Sequence, residues 1–162
     1  MSLSGGRKHQ FKLKYTDADP SESIILAFDS KWQTLLHQGT INAIFRRQVP
    51  ISFVPDQIFA YVSKPISAIT AKLFVTAFER LPVDDTIRFA KGGHLREDEL
   101  RSYAGDREEL VVIQISGTKV AVRPIEFAHL AKEYDFWPSS TSMPLSATGV
   151  RTLDELGFEE TV

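Results

Sequence analysis

The sequence contains no cysteine, which excludes disulfides, thiolate metal sites and a cysteine nucleophile. Its four histidines are scattered, and no two have the spacing of metal ligands on one element, so we expect no metal or cofactor. No apolar run approaches the ~20 residues that a membrane-spanning helix needs, and the first residues lack the hydrophobic segment of a secretory signal. These absences predict a cytoplasmic protein with no membrane partner.

The sequence also lacks a large excess of either charge. It carries 19 basic and 21 acidic residues among 162, for a formal net charge of −2. Any polyanionic partner must therefore be held by a local basic patch rather than by the overall field of the protein. Hydrophobic residues make up 43% of the chain and charged residues 25%, which is typical of a folded domain rather than a disordered one.

The length suits one domain, which we place at residues 24–162. Residues 1–23 are polar and basic, and we expect a flexible N-terminal tail. The alternative is a basic arm that contacts phosphate backbones. Residues 127–162 have a weak secondary-structure signal and are predicted to be an irregular C-terminal extension.

The clearest local signals lie between residues 24 and 47. The apolar run 24–28 indicates a buried strand. Asp29 or Ser30 can then cap a short helix, which Gly39 ends because glycine readily adopts the left-handed conformation.

The next residues, 41–47, alternate in polarity as a returning strand does. A strand, a helix and a returning strand bring Lys31 and Arg46 near a common rim.

The remaining pattern predicts mostly strands joined by short turns. Together these elements favour an α+β, mainly β fold, namely a small mixed or antiparallel β-barrel with short helices at its rim. The expected elements are strands at 58–63 and 66–79, helices at 82–93 and 96–104, and a hairpin of strands 109–116 and 119–127 about the turn Ser116-Gly117-Thr118.

The order of these elements, together with the segment from Gly39 to Arg46, resembles the ASCH domain of the PUA-like superfamily. The resemblance covers about residues 24–127. The family pattern is roughly Gly-x-Lys-x-x-Glu-x-Arg. Gly39 and Arg46 match it, whereas Ile41 stands at the lysine position and Ile44 at the acidic position.

The resemblance implies recognition of RNA or of a modified nucleotide in the cleft beside this motif. Some members of the family are amidohydrolases that act on N4-acylated cytidine, using a lysine, a threonine and a glutamate. In this sequence Ile41 and Ile44 occupy the lysine and threonine positions, and isoleucine can neither attack a carbonyl nor move a proton. Only the glutamate has possible counterparts, which are Glu97 and Glu99.

Four residues are candidates for ligand binding, and each also has a purely structural interpretation. Arg46 can be a forked donor to phosphate or a rim arginine paired with a carboxylate. Lys31 opposes the dipole of the helix it begins, which hints at an anion, although it can simply be solvated. Lys64 ends a strand, where solvation is the ordinary role. Trp32 can stack on a base or belong to the core.

Three functions follow from these residues. The first is a non-catalytic module that binds RNA or a nucleotide through Lys31, Trp32, Arg46 and Lys64. The second is a protein-interaction domain in transcription or translation. The third is an amidohydrolase on N4-acylated cytidine. We rank them in this order, because no catalytic residue is identified in the motif.

Overall fold

A computed structural model describes residues 19–138 and 142–160. Six strands in this part of the chain form one mixed sheet in the order β2-β5-β4-β3-β1-β6. Five helices accompany the sheet. The strands are β1 (Pro20–Phe28), β2 (Ala43–Arg46), β3 (Gln57–Val62), β4 (Ala68–Pro82), β5 (Glu109–Glu126) and β6 (Ser142–Ser146); the helices are α1 (Gln33–Gln38), α2 (Val83–Thr86), α3 (Glu97–Ala104), α4 (Phe127–Tyr134) and α5 (Ala147–Leu153).

The local signals around the first helix are confirmed. The Asp29 carboxylate accepts a hydrogen bond of 2.9 Å from the backbone N–H of Lys31, and a 3-10 turn over Ser30–Trp32 leads into α1. Gly39 ends α1 with φ of 69°, which is the left-handed conformation expected there. The chain therefore leaves β1 and enters β2 through a short capped helix.

A continuous strand replaces the predicted hairpin. Residues 116–118 do not turn back; they remain in β5 and pair with β4, where Gly117 faces Phe74. The long β4, which the alternating pattern predicted, gives β5 a partner along its whole length, from Glu126 opposite Ala68 to Glu109 opposite Pro82. Register shifts interrupt this pairing, and such bulges bend strands without breaking the sheet.

The expectation of a barrel is wrong, because the sheet of the described residues does not close. β2 pairs only with β5, while β1 uses one edge for the parallel β3 and the other for the antiparallel β6. The pairing of β6 with β1 ends at Leu26, and β2 does not pair with the edge that remains at Ala27 and Phe28. The observed fold is a strongly bent six-stranded mixed sheet, mainly β, with helices packed around it.

Three hydrophobic clusters hold the sheet. The first lies inside the bend and joins Ile24 and Leu26 of β1 to Ile44 of β2 and Ile113 of β5. The second fills the opposite face of β1 and β3 beneath α4 and α5. The third packs the far face of β2 and β5 against α3 and the 3-10 turn Ile87–Gly93. The inner cluster thus brings β1 and β2 close together although they do not pair.

The C-terminal residues are more regular than the sequence signal indicated. The expected irregular extension contains α4, β6 and α5 and ends in a π-helical turn over Asp154–Phe158. A partly buried ion pair of 2.6 Å joins Lys72 of β4 to Asp154, and Phe158 packs edge-on against Phe59. The predicted N-terminal tail lies largely outside the described residues.

A substitution at Gly157 can test how closely this C-terminal turn approaches the sheet. A methyl group there would lie 2.8 Å from Ile125 Cδ1 and 2.9 Å from the carbonyl oxygen of Arg123, so the backbone would have to move. We expect Gly157→Ala to lower the free energy of unfolding in urea by about 1–3 kcal/mol. Gly117→Ala is the control, since its new methyl group would meet only Phe74 at 3.8 Å. Equal stabilities of the two variants would contradict this close packing.

Candidate functional site

A cleft of about 350 Å³ lies between the ends of β1 and β2. It follows the free edge of β2, and for that reason residues from both faces of this strand line it. The turn before α1 forms one wall, and α3 with the residues before it forms the other. The lining residues are Phe28, Asp29, Lys31, Trp32, Ile41, Ala43, Ile44, Phe45, Arg46, Gly93, Leu95, Glu99 and Tyr103.

Arg46 is fixed within this cleft by backbone carbonyls. Its Nη2 donates to the carbonyl oxygen of Ala27 at 2.7 Å, and its Nη1 donates more weakly to that of Phe45 at 3.4 Å. The guanidinium carbon lies 4.8 Å from the ring centre of Phe28. These contacts span the gap between β2 and β1, and they leave further N–H donors available.

No carboxylate within the described residues forms an ion pair with Arg46. Burial lowers the pKa of Arg46, and the nearby Tyr103 side chain partly offsets this effect, first through its charge interaction and then through hydrogen bonding. The lowered pKa means that the folded chain holds this charge less favourably than the unfolded chain does. A cation that is desolvated and lacks a counter-charge is what an anionic ligand would stabilise.

Lys31 and Trp32 lie on the opposite wall of the cleft from Tyr103. The Lys31 ammonium is 5.3 Å from the ring centre of Trp32, and Lys31 is exposed. The Trp32 ring is partly buried and packs against the inner cluster with one side. Trp32 is therefore placed both for core packing and for stacking on a base, because it contacts the core and also lines the cleft.

The two carboxylates in the cleft wall already have local roles. Asp29 caps the turn at Ser30–Trp32, and Glu99 accepts the backbone N–H of Arg96 at 2.9 Å at the start of α3. Neither of them neutralises Lys31 or Arg46 within 4.0 Å. The cleft thus combines two unpaired cations with aromatic walls.

The structure brings together three of the four predicted site residues. Lys31, Trp32 and Arg46 line the cleft, whereas Lys64 does not. Lys64 follows Ser63, whose N–H bonds to the carbonyl oxygen of Phe28, so it lies just beyond the rim. Of the two candidate glutamates, Glu99 lines the cleft and Glu97 pairs instead with Arg101.

Sequence reasoning missed Tyr103, which lines the cleft beside Arg46. It lies three residues after Leu100, and this spacing reads simply as the apolar face of α3. The phenol belongs to the third cluster only at its margin, since Tyr103 is partly buried there. A polar end on an otherwise apolar stripe was the available signal.

The fold is that of the ASCH domain, as the sequence resemblance predicted. A crystal structure of ASCH from Zymomonas mobilis has a TM-score of 0.76 with this chain at 18% identity, covering 85% of this chain and 97% of the other. A point mutant of that protein gives 0.77 at 18% identity, covering 86% and 99%. The N-terminal domain of Staphylothermus marinus McrB is similar at 0.55 and 9% identity, covering 88% and 97%.

No protein-family model and no curated protein matches this sequence.

Within residues 19–138 and 142–160, no helix is long and apolar enough to cross a membrane. In the same part of the chain, no group of three or more histidine and carboxylate side chains is placed to hold a metal ion.

Replacing Arg46 by methionine separates a structural role of the arginine from a binding role. The change loses two bonds to carbonyls, worth about 1 kcal/mol each, but also removes an unfavourably buried charge. We expect the free energy of unfolding in urea to change by less than about 1 kcal/mol. A loss of ~3 kcal/mol or more would instead identify Arg46 as a structural bridge between β1 and β2.

Proposed function

We propose that this protein binds RNA or a nucleotide in the cleft between β1 and β2, without catalysing a reaction on it. The observation that carries the proposal is the Arg46 guanidinium, which is oriented by carbonyl oxygens and lacks a carboxylate partner among the described residues. A phosphate is the ligand that best fits a fixed fork of N–H donors.

The size and walls of the cleft support a ligand of about one nucleotide. Its volume of about 350 Å³ is at the lower end of the ~300–1,000 Å³ typical of small-ligand pockets. A double helix cannot enter such a space. Trp32 on one wall and Tyr103 on the other offer aromatic faces on which a base can stack.

Two cations in the cleft make the proposed binding electrostatic in part. Lys31 contributes an exposed, mobile charge, and Arg46 contributes a fixed one. Phosphate contacts of this kind release counterions, so affinity should fall as salt rises. Lys64 lies outside the lining of the cleft and is a candidate for a peripheral contact only.

The residues at the motif positions support binding rather than hydrolysis. Ile41 and Ile44, which stand where the amidohydrolases carry reactive side chains, both line the cleft and are buried. Of the two candidates for the catalytic glutamate, Glu99 is the one that lines the cleft, and its carboxylate already accepts a hydrogen bond at the start of α3. We expect no release of acetate from N4-acetylcytidine at high enzyme concentration; measurable turnover that Glu99→Gln abolishes would favour the enzyme instead.

Trp32 tests the stacking part of the proposal. We expect Trp32→Leu to weaken binding of a labelled, mixed-sequence single-stranded RNA about 5- to 150-fold, because the loss of stacking on one base is worth ~1–3 kcal/mol. Trp32→Phe should retain most of the affinity, since it keeps an aromatic face. Fluorescence anisotropy of the labelled RNA measures both, and urea unfolding shows whether each variant is folded.

A second readout reports the contact directly. The sequence has two tryptophans, and Trp137 is 53% exposed and absent from the cleft lining. In a Trp137→Phe background, RNA should quench the remaining fluorescence of Trp32. The control background Trp32→Phe, which keeps Trp137, should show no quenching. The reverse pattern would place the nucleic acid at Trp137 and contradict the proposed site.

A further inference from the structure

We propose that Arg47 and Arg107 form a second phosphate subsite outside the cleft, so that the natural ligand is a single-stranded polynucleotide rather than a free nucleotide. This inference rests on the proposed function and assigns the contacts of the neighbouring nucleotide. It concerns two arginines that lie beyond the lining of the cleft.

Arg47 is held against the outer side of the cleft wall. Its Nε donates to the carbonyl oxygen of Tyr103 at 2.9 Å, and its guanidinium carbon lies 4.6 Å from the centre of the Tyr103 ring. Tyr103 therefore contacts Arg47 and also lines the cleft that holds Arg46. Among the described residues, the two terminal nitrogens of Arg47 have no hydrogen-bond partner, so they can donate to a phosphate.

Arg107 extends the same surface. Its Nη1 donates to the backbone carbonyl oxygen of Arg47 at 3.3 Å, which places the Arg107 guanidinium against the chain at Arg47. Both residues are exposed. From Arg46 through Tyr103 to Arg47 and Arg107, a continuous row of contacts leads out of the cleft.

The arginines nearby on α3 behave differently. Arg96 is paired with Asp98 and Glu99, and Arg101 is paired with Asp84 and Glu97. Arg47 and Arg107 instead bond to backbone carbonyls and have no carboxylate within 4.0 Å among the described residues. Carbonyl anchors orient a guanidinium without cancelling its charge, so this pair keeps its attraction for an anion.

The chemistry of the row fits a strand of nucleic acid. The cleft has room for about one nucleotide, and the next phosphodiester of a bound strand must lie outside it. The Arg47 guanidinium on the outer side of Tyr103 and the Arg107 guanidinium at the Arg47 backbone offer that phosphate forked donors. A single strand is required, because a paired base cannot reach a narrow cleft without leaving its stack.

The experiment compares ligands of different length on the same protein. The probes are a mixture of the four nucleoside 5′-monophosphates and labelled mixed-sequence pentamers of RNA and of DNA. We expect Arg47→Gln/Arg107→Gln to weaken pentamer binding about tenfold or more and to lower the slope of log affinity against log salt by about 0.7 per lost phosphate contact. Mononucleotide binding should stay unchanged.

Two further variants serve as controls. Lys132→Gln/Arg151→Gln removes the same charge from exposed positions on α4 and α5, which cover the opposite face of the sheet, and should leave pentamer binding unchanged. Arg47→Lys/Arg107→Lys keeps the charge but loses the fork, and should restore the salt slope with only part of the affinity.

The outcomes separate this inference from the proposed function. If mononucleotides bind and the glutamine pair leaves pentamer affinity unaltered, the second subsite is wrong and the cleft proposal stands. If neither mononucleotides nor pentamers bind, both proposals fail. If the control pair weakens binding as much as the glutamine pair, only net charge matters and the subsite is again wrong. If one pentamer binds more tightly than the other, the preferred one shows whether the ligand contains ribose or deoxyribose, and either result agrees with the proposal.

Discussion

The gap between the end of β1 and the unpaired edge of β2 is the constraint on which the site depends. β3 takes one edge of β1, and β6 takes the other only as far as Leu26. β2 does not pair with the edge that remains at Ala27 and Phe28, even though the inner hydrophobic cluster draws the two strands together. Side chains rather than backbone bonds then fill the gap. Arg46 reaches from β2 to the carbonyl oxygen of Ala27 and leaves the rest of the opening as a cleft. The site is therefore a consequence of an open edge.

The arginines around this opening share one arrangement. Arg46 and Arg47 each bond to a carbonyl oxygen and lie over an aromatic ring, and Arg107 bonds to a carbonyl oxygen as well. Such anchoring removes conformational freedom before a ligand arrives, which lowers the entropic cost of binding. It does not neutralise charge, and the desolvated charge of Arg46 opposes folding. The three hydrophobic clusters, two of which also contribute to the cleft walls, supply the stability that tolerates this buried charge.

The sequence predicts those parts of the fold whose signals are local. The cap at Asp29, the end of α1 at Gly39 and the long alternating strand β4 are all read from neighbouring residues. The extended conformation at Gly117, where the sequence predicts a turn, cannot be read in this way, because a distant partner, β4, holds that segment extended. Closure of the sheet likewise depends on β6, whose own pattern is weak. At the site, Lys31, Trp32 and Arg46 were accessible to local reasoning, whereas Tyr103 acquires its meaning only from packing of α3 beside β2.

The two isoleucines at the motif positions change more than the reactive chemistry. Ile41 and Ile44 form an apolar wall next to Arg46, and an apolar wall lowers the local dielectric. In a lower dielectric, the attraction between a guanidinium and a phosphate is stronger, and the unfilled site is less favourable by the same physics. For the proposed ligand, this apolar wall strengthens the contact with Arg46, although the isoleucine at the lysine position supplies no charge of its own. The same residues that argue against hydrolysis thus argue for binding.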